Sequence, residues 1–280
     1  MALKDILVQV DDRRGATARI EVAAALAGAH GAHVAGLFVI EPINFAGIAT
    51  PMGATGAYET VLEQHLTWRR AVGEALGEKF IATVEGAGGS AEWRIVVGDP
   101  GRLVPLHARY ADLAVLAQSD PDDEAVGAGV AELALLGSGR PVLVVPYIGA
   151  RAPIGRRVLA AWNATREAAR AINDALPLLA RADSVTVLSI DPRHGIAGDG
   201  DLPAADIALH LARHGVRAEA AYTVAEGVGV GDIILSRAAD LGADLIVMGG
   251  YGHSRLRELA LGGATRTMLQ EMTVPVLLSH

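Results

Sequence analysis

Two sets of short segments in this chain repeat one another in order, and that repeat limits the available folds more than any other feature. Asp112-Leu113-Ala114-Val115-Leu116 is answered by Asp244-Leu245-Ile246-Val247-Met248. Pro141-Val142-Leu143-Val144 is answered by Pro275-Val276-Leu277-Leu278, and Ile40-Glu41-Pro42 by Ile190-Asp191-Pro192. Matches that keep their order across both halves mark a duplicated unit, and half of 280 residues is an ordinary domain length. Pro, Gly and Arg interrupt both patterns between Pro146 and Gly155. The break predicts one domain over residues 1–147 and a second over residues 154–280.

Within each copy, runs of branched apolar residues alternate with alanine-rich stretches of helical length, the pattern of a parallel sheet flanked by helices. The predicted strands of the first copy are Ile6 to Val10, Val34 to Ile40, Trp93 to Val97, Leu113 to Ala117 and Val142 to Val145. Those of the second are Val158 to Trp162, Val185 to Ile190, Val216 to Val224, Leu245 to Met248 and Val276 to Leu278. The first-copy helices are predicted over Thr17 to Ala29, Tyr58 to Val84, Arg102 to Tyr110 and Gly129 to Leu136. The fold class is therefore α/β, as two tandem doubly wound domains; a single open sheet of all ten strands is the competing arrangement. Asn44 to Ala57, rich in Gly, Ala and Pro, reads as a mobile connection before a long helix.

Composition removes several function classes. The net charge is -8 and the only lysines are Lys4 and Lys79, which leaves no electrostatic footing for nucleic acid or an anionic membrane. Cysteine is absent, so disulfides, thiolate zinc sites and cysteine nucleophiles are excluded together. The mean hydropathy of +0.32 comes largely from alanine, and runs such as Val22 to Ala27 fall far short of the roughly 20 residues of a membrane span. Met1-Ala2-Leu3-Lys4-Asp5 leads directly into Ile6, with neither the basic start nor the apolar core of a signal peptide. The expectation is a cytoplasmic protein.

The chemistry concentrates after the fourth strand of the second copy. Met248-Gly249-Gly250-Tyr251-Gly252-His253-Ser254-Arg255-Leu256-Arg257 runs on to Gly262-Gly263-Ala264-Thr265, a Gly-x2-Gly-x9-Gly loop between strand and helix. Glycines at 249 and 252 permit positive φ and close approach of a ligand to the backbone. Gly262 and Gly263 open the last helix, whose N–H groups and positive dipole end suit a phosphate. Arg255 and Arg257 carry charge that would balance it, and His253 stands beside them.

The loop, its strand and the Val-Pro-Val segment that follows resemble the universal stress protein family, and the resemblance extends to the strand and helix order of both halves. It implies Rossmann-like domains with strand order 3-2-1-4-5, and phosphates seated in this glycine motif. Gly249, Gly252 and Gly262 match the family's glycines; Gly263 stands where its ATP binders have Ser or Thr. Losing that hydroxyl costs about 0.5–1.5 kcal/mol, the net value of one hydrogen bond. The family's nucleoside-contacting Asp is replaced by Asn163 after Trp162, whereas the first copy has Asp11 after Val10. Asn163 also fits a plain turn residue before a helix, and Trp162 reads as core. The family's last strands pair across a dimer, so Pro141 to Val145 and Pro275 to Leu278 are expected to pair within this chain, an intrachain pseudo-dimer. A homodimer of two such chains is left open by the sequence.

In the first copy, Gln118-Ser119-Asp120-Pro121-Asp122-Asp123-Glu124 stands in place of the glycine loop. Its acids repel phosphate and Pro121 removes an N–H, so this loop reads as degenerate; a Mg²⁺ role for Asp120, Asp122 and Asp123 is the weaker reading. Gly227-Val228-Gly229-Val230-Gly231-Asp232 fails as a dinucleotide fingerprint because Asp232 occupies the last glycine position, and it reads as the loop before a helix. No Walker loop or Gly-x-Ser-x-Gly elbow is present, and Ser138 lies near a helix end. His210 and His214 share a helix face but lack further ligands in sequence, and His214-Gly215 reads as a helix terminus.

The resemblance, added to the anion-binding loop, implies a nucleotide-binding module in stress response rather than an enzyme. The predicted ligand is ATP, or ADP or AMP in its place, with or without Mg²⁺, held by the second copy through Asn163, Gly249, Gly252, His253, Arg255, Gly262, Gly263, Ala264 and Thr265. Two alternatives stand beside it: a structural or interaction protein whose loop is a relic, and a slow ATPase.

Overall fold

The computed structural model describes residues 2–43, 55–122, 129–191, 204–251 and 263–280. The first half runs β1 (Asp5–Gln9), α1 (Ala16–His30), β2 (His33–Ile40), α2 (Thr55–Gly86), β3 (Ser90–Val97), α3 (Pro100–Ala108), β4 (Leu113–Ala117), α4 (Val130–Gly137) and β5 (Val142–Val145). The second half repeats it with β6 (Arg157–Trp162), α5 (Arg166–Leu179), β7 (Ser184–Ile190), α6 (Ala205–Arg213), β8 (Ala218–Thr223), α7 (Val230–Leu241), β9 (Leu245–Gly249), α8 (Gly263–Glu271) and β10 (Val276–Ser279). Asn44 to Ala54, within the connection singled out above, lies outside the described residues.

The ten strands hydrogen-bond in the order β3-β2-β1-β4-β5-β10-β9-β6-β7-β8. Every pairing inside a half is parallel, so each half has the expected 3-2-1-4-5 order. The halves join where β5 and β10 pair antiparallel, with Val144 opposite Val276, Leu143 opposite Leu277 and Val142 opposite Leu278. One continuous sheet does exist, built from two five-stranded units joined by their last strands. The physical reason lies in β5 and β10 themselves: all four residues of each are buried, and an apolar edge of this kind is stable only when paired.

Helices cover both faces, so the central strands are apolar throughout instead of alternating. Ile6 and Val8 point into one core and Leu7 into the other. Each core crosses the junction: Val8, Leu143, Val158 and Leu277 share one, while Leu7, Val144, Leu159 and Leu278 share the other. The repeated aspartates have a structural office. Asp112 Oδ2 accepts from the N–H groups of Lys4 and Asp5, at 2.8 and 3.1 Å, where β1 starts. Asp244 accepts likewise from Gly155, Arg156 and Arg157 at the start of β6. Strand β8 begins at Ala218, later than the Val216 expected from its apolar character, because Val216 N–H donates 3.1 Å to Leu211 O and ties the residue to the end of α6.

Candidate functional site

In the second half the chain passes from β6 outward to β7 and β8, then crosses back to β9 and β10, so β6 and β9 flank a switch point in strand order. Open parallel sheets leave a crevice there, outside the carboxyl ends of the strands. A cavity of about 500 Å³ occupies it. Leu188, Ile190, Ile234 and Met248 supply apolar surface, and Asn163, Thr165, Glu167, Thr265 and Thr267 supply polar groups. The N-terminal turns of α5, α7 and α8 all reach it through Glu167, Gly229 to Gly231, and Gly263 to Thr265. Of the residues singled out in the sequence, the cavity brings together Asn163, Gly249, Gly263, Ala264 and Thr265. Gly252, His253, Arg255, Arg257 and Gly262 lie outside the described residues.

Asn163 is exposed, and its Oδ1 accepts from Thr165 N–H at 3.3 Å and from Thr165 Oγ1 at 2.8 Å. Thr165 in turn caps α5, its Oγ1 accepting from Ala168 N–H at 3.3 Å. Asn163 is thus a turn residue that also lines the cavity, and with Oδ1 engaged its Nδ2 donor is the group left to meet a ligand. Trp162 is half-buried and does two things: it packs against one core and it walls the cavity.

The reason for glycine at 249 differs from the expected one. Gly249 is not among the positive-φ residues; a Cβ there would lie 2.6 Å from Ala168 N and 2.7 Å from Glu167 C. The missing side chain makes room for the first turn of α5 rather than for a ligand. Among the described residues of this loop the left-handed conformation falls on Tyr251, φ 58°, whose N–H donates 3.3 Å to the buried Thr265 Oγ1. Burial pushes the Tyr251 hydroxyl well above its ordinary value, with the charge of Glu132 adding to the rise. Ala164, Asp191 and Glu226 also take positive φ, so the loops after β6, β7, β8 and β9 each hold a non-glycine residue in this sparsely populated conformation. Among the described residues the first half has none. Such outliers gather where surrounding structure holds a functional rim in shape.

Two features of the cavity were missed in the sequence. Glu167 is 3% exposed; burial pushes its carboxyl up, but hydrogen bonds from the Arg166 guanidinium and its own N–H outweigh that and hold it below its ordinary value. It adds an ionised acceptor to the wall, suited to hydroxyl groups. Its position just inside an N-capping Thr was the available signal. The second feature is the Gly229 to Gly231 run: expected within the loop before a helix, it instead starts α7, with Gly229 at the N-cap and Val230 and Gly231 in the first turn, and it lines the cavity. A Cβ at Gly231 would lie 2.6 Å from Thr267 Cβ, so this glycine sets the close approach of α7 to α8.

The first half holds a cavity too, about 900 Å³, lined by Asp11, Asp12, Glu41, Asp99, His65 and Arg69 among others. Its charge is of the wrong sign for phosphate. Asp11 is paired with the buried Arg19 at 2.8 Å, and Asp12 takes both Arg69 nitrogens at 2.8 and 3.1 Å, which holds its carboxyl below the ordinary value. Burial pushes Glu41 up, and Asp99 reinforces the shift. Volume alone would favour this cavity, but four carboxylates line it against one, Glu167, among the described residues of the smaller. Asp120 Oδ1 accepts from Asp122 N–H at 3.0 Å in the acidic loop, while Asp123 and Glu124 lie outside the described residues. His210 and His214 do share a face, ring centroids 4.8 Å apart, with His214 capping α6. Among the described residues no group of three or more potential metal ligands forms.

A family model for the universal stress protein family matches residues 155–280, the half that carries this cavity. Residues 155–280 therefore form a universal stress protein domain. Solved structures extend the likeness of fold to the whole chain. A universal stress protein from Archaeoglobus fulgidus DSM 4304 superposes with a TM-score of 0.74 at 16% identity, covering 98% of this chain and 97% of its own. A protein of unknown function from Pseudomonas aeruginosa PAO1 gives 0.58 at 15% identity over 99% and 92%. A putative universal stress protein from Pseudomonas aeruginosa UCBPP-PA14 gives 0.56 at 16% identity over 99% and 93%. No curated protein matches the chain in sequence. Among the described residues, no helix is long and apolar enough to cross a membrane.

Proposed function

We propose that the chain is a two-domain nucleotide-binding module, residues 1–147 and 154–280, that holds one adenine nucleotide in the second domain. The observation that carries the reading is the convergence of Asn163 with Gly249, Gly263, Ala264 and Thr265 on one cavity at the strand-order switch point. A nucleotide needs an apolar slot for its base, acceptors for its ribose and N–H groups for its phosphates. Leu188, Ile190, Ile234 and Met248 fit the first requirement, and Glu167 and Asn163 the second. The third is met by the start of α8, whose first-turn N–H groups lack intrahelical partners. A cavity of about 500 Å³ is within the range of small-molecule sites. Gly252, His253, Arg255 and Gly262 complete the proposed phosphate loop, with Mg²⁺ accompanying ATP. Stress response and a cytoplasmic setting belong to the same proposal.

Calorimetry tests it. ATP should bind with a stoichiometry of one per chain. Among the described residues nothing lies within 4 Å of a Cβ built on Gly263, so Gly263→Asp should fold, yet it sets a carboxylate where phosphate would sit and should abolish binding. Asp11→Asn in the first domain should leave binding unchanged. Two sites per chain, or ATP binding undiminished in Gly263→Asp, would refute the placement; no binding by the natural chain at millimolar nucleotide would favour the relic loop.

A further inference from the structure

Every residue lining the cavity belongs to the second half, but one of the helices that line it is held at its far end by the first. Gln118 follows β4 at the position that Gly250 takes after β9, and it is 3% exposed. Its Nε2 donates to Leu269 O and Gln270 O, both at 3.1 Å, and its Oε1 accepts from Tyr147 N–H at 3.2 Å. Leu269 and Gln270 are the last turn of α8, the helix whose first turn lines the cavity through Gly263, Ala264 and Thr265. A nine-residue helix is short enough for the position of one end to fix the other. The terminal carbonyls of a helix lack intrahelical partners, and here two of them find one in the other half of the chain. Gly250 meets that half as well: a Cβ there would lie 2.6 Å from Leu135 Cδ2 of α4. Both sides of the loop between β9 and α8 are thus referenced to the first half.

We propose that Gln118 is a positioning residue for the second-half cavity: by holding the carboxyl-terminal carbonyls of α8 it sets where the amino-terminal turn stands against Asn163 and Glu167. The first half, whose own cavity is acidic, then contributes to the site by shaping it. This rests on the nucleotide reading for its ligand but not for its geometry. Coupling between a site and a distant contact is reciprocal, so occupancy of the cavity must also tighten the Gln118 contacts.

The test uses the full chain with ATP as probe. Gln118→Met keeps volume and removes the donors; it should raise amide hydrogen exchange over residues 263–271 and weaken ATP binding roughly threefold to tenfold, the value of about one hydrogen bond. Gln118→Lys, which again offers N–H donors to helix-terminal carbonyls, should recover most of both. Arg170→Ala removes a different bond between the halves, Arg170 Nη2 to Gly139 O at 2.6 Å, without touching α8, and should change neither. In the natural chain, ATP should slow exchange of the Tyr147 amide, a measurement that needs no variant to fold. Unchanged α8 exchange and affinity in Gln118→Met, or equal losses in Arg170→Ala, would overturn the inference. So would a Tyr147 amide indifferent to saturating ATP. If the natural chain binds no ATP, the nucleotide reading falls, and α8 exchange in Gln118→Met against Arg170→Ala still decides the positioning role.

Discussion

Gly249→Ala and Gly263→Ala alter two glycines of one loop by the same methyl group, yet they should move stability in opposite directions. At Gly249 the methyl would lie 2.6 Å from Ala168 N, 2.7 Å from Glu167 C and 2.9 Å from Glu167 Cβ, where ordinary contact begins near 3.4 Å. Two of these neighbours are backbone atoms of α5, which cannot turn aside as a flexible side chain would. The helix start must retreat by most of an ångström, and overpacking of this kind costs about 1–3 kcal/mol. The loss of unfolded-chain freedom returns about 0.4–1 kcal/mol, so a net destabilisation of about 1–2 kcal/mol is expected. At Gly263 no described residue lies within 4 Å of the new methyl, and the residue is helical, so Gly263→Ala should stabilise by about 0.5–1 kcal/mol. Urea unfolding followed by far-ultraviolet circular dichroism reads both as shifts of midpoint in opposite directions. Retreat of α5 also carries Thr165 and Glu167 away from the cavity, so folded Gly249→Ala should bind ATP more weakly. Gly249→Ala as stable as the natural chain, or both variants destabilised alike, would refute the assignment of Gly249 to helix packing.

Gly263→Ser restores a hydroxyl at the start of α8 in open space, and calorimetry should read ATP binding tighter by up to about tenfold, or 1.4 kcal/mol. Arg19 is 2% exposed, with Nε on Gln9 O at 2.7 Å and Nη2 on Asp11 at 2.8 Å, so Arg19→Met should destabilise the first half by about 2–4 kcal/mol in urea, read through Trp93 fluorescence. For Glu167, whose folded carboxyl is held below its ordinary 4.5, the contribution to stability is full above pH 4.5 and fades as pH falls through the lower folded value. The gap in melting temperature between the natural chain and Glu167→Gln should therefore be constant above pH 4.5 and narrow below it; a gap that widens on acidification would contradict the pairing with Arg166.

Much of the architecture was legible in local sequence. Branched runs such as Ile6-Leu7-Val8 can be buried on both faces only in a helix-covered parallel sheet, and the Asp112 and Asp244 repeats announced that the sheet occurs twice. The pairing of the two short strands after Pro141 and Pro275 was expected from the family resemblance, and their buried apolar edges supply its physical reason. Of the residues lining the cavity, Gly249, Gly263, Ala264 and Thr265 were singled out by the glycine loop between strand and helix, and Asn163 by the family resemblance. Glu167 and the Gly229 to Gly231 run were not, because a first-turn acid and a loop glycine look the same whether or not a cavity lies beside them.

The sequence by itself determined the two-copy α/β plan, the order of elements and the sign of charge around each loop, since these depend on periodicity and composition over a few residues. Only the tertiary structure decided why Gly249 must be glycine, that Tyr251 and neither Gly249 nor Gly250 takes a left-handed conformation, and that Gln118 holds the far end of α8. Each of these is a contact between segments distant in the chain, set by how closely two helices or a helix and a strand approach. A steric distance of 2.6 Å to Ala168 N, or a donor 3.1 Å from a helix-terminal carbonyl, leaves no trace in the residues flanking either partner.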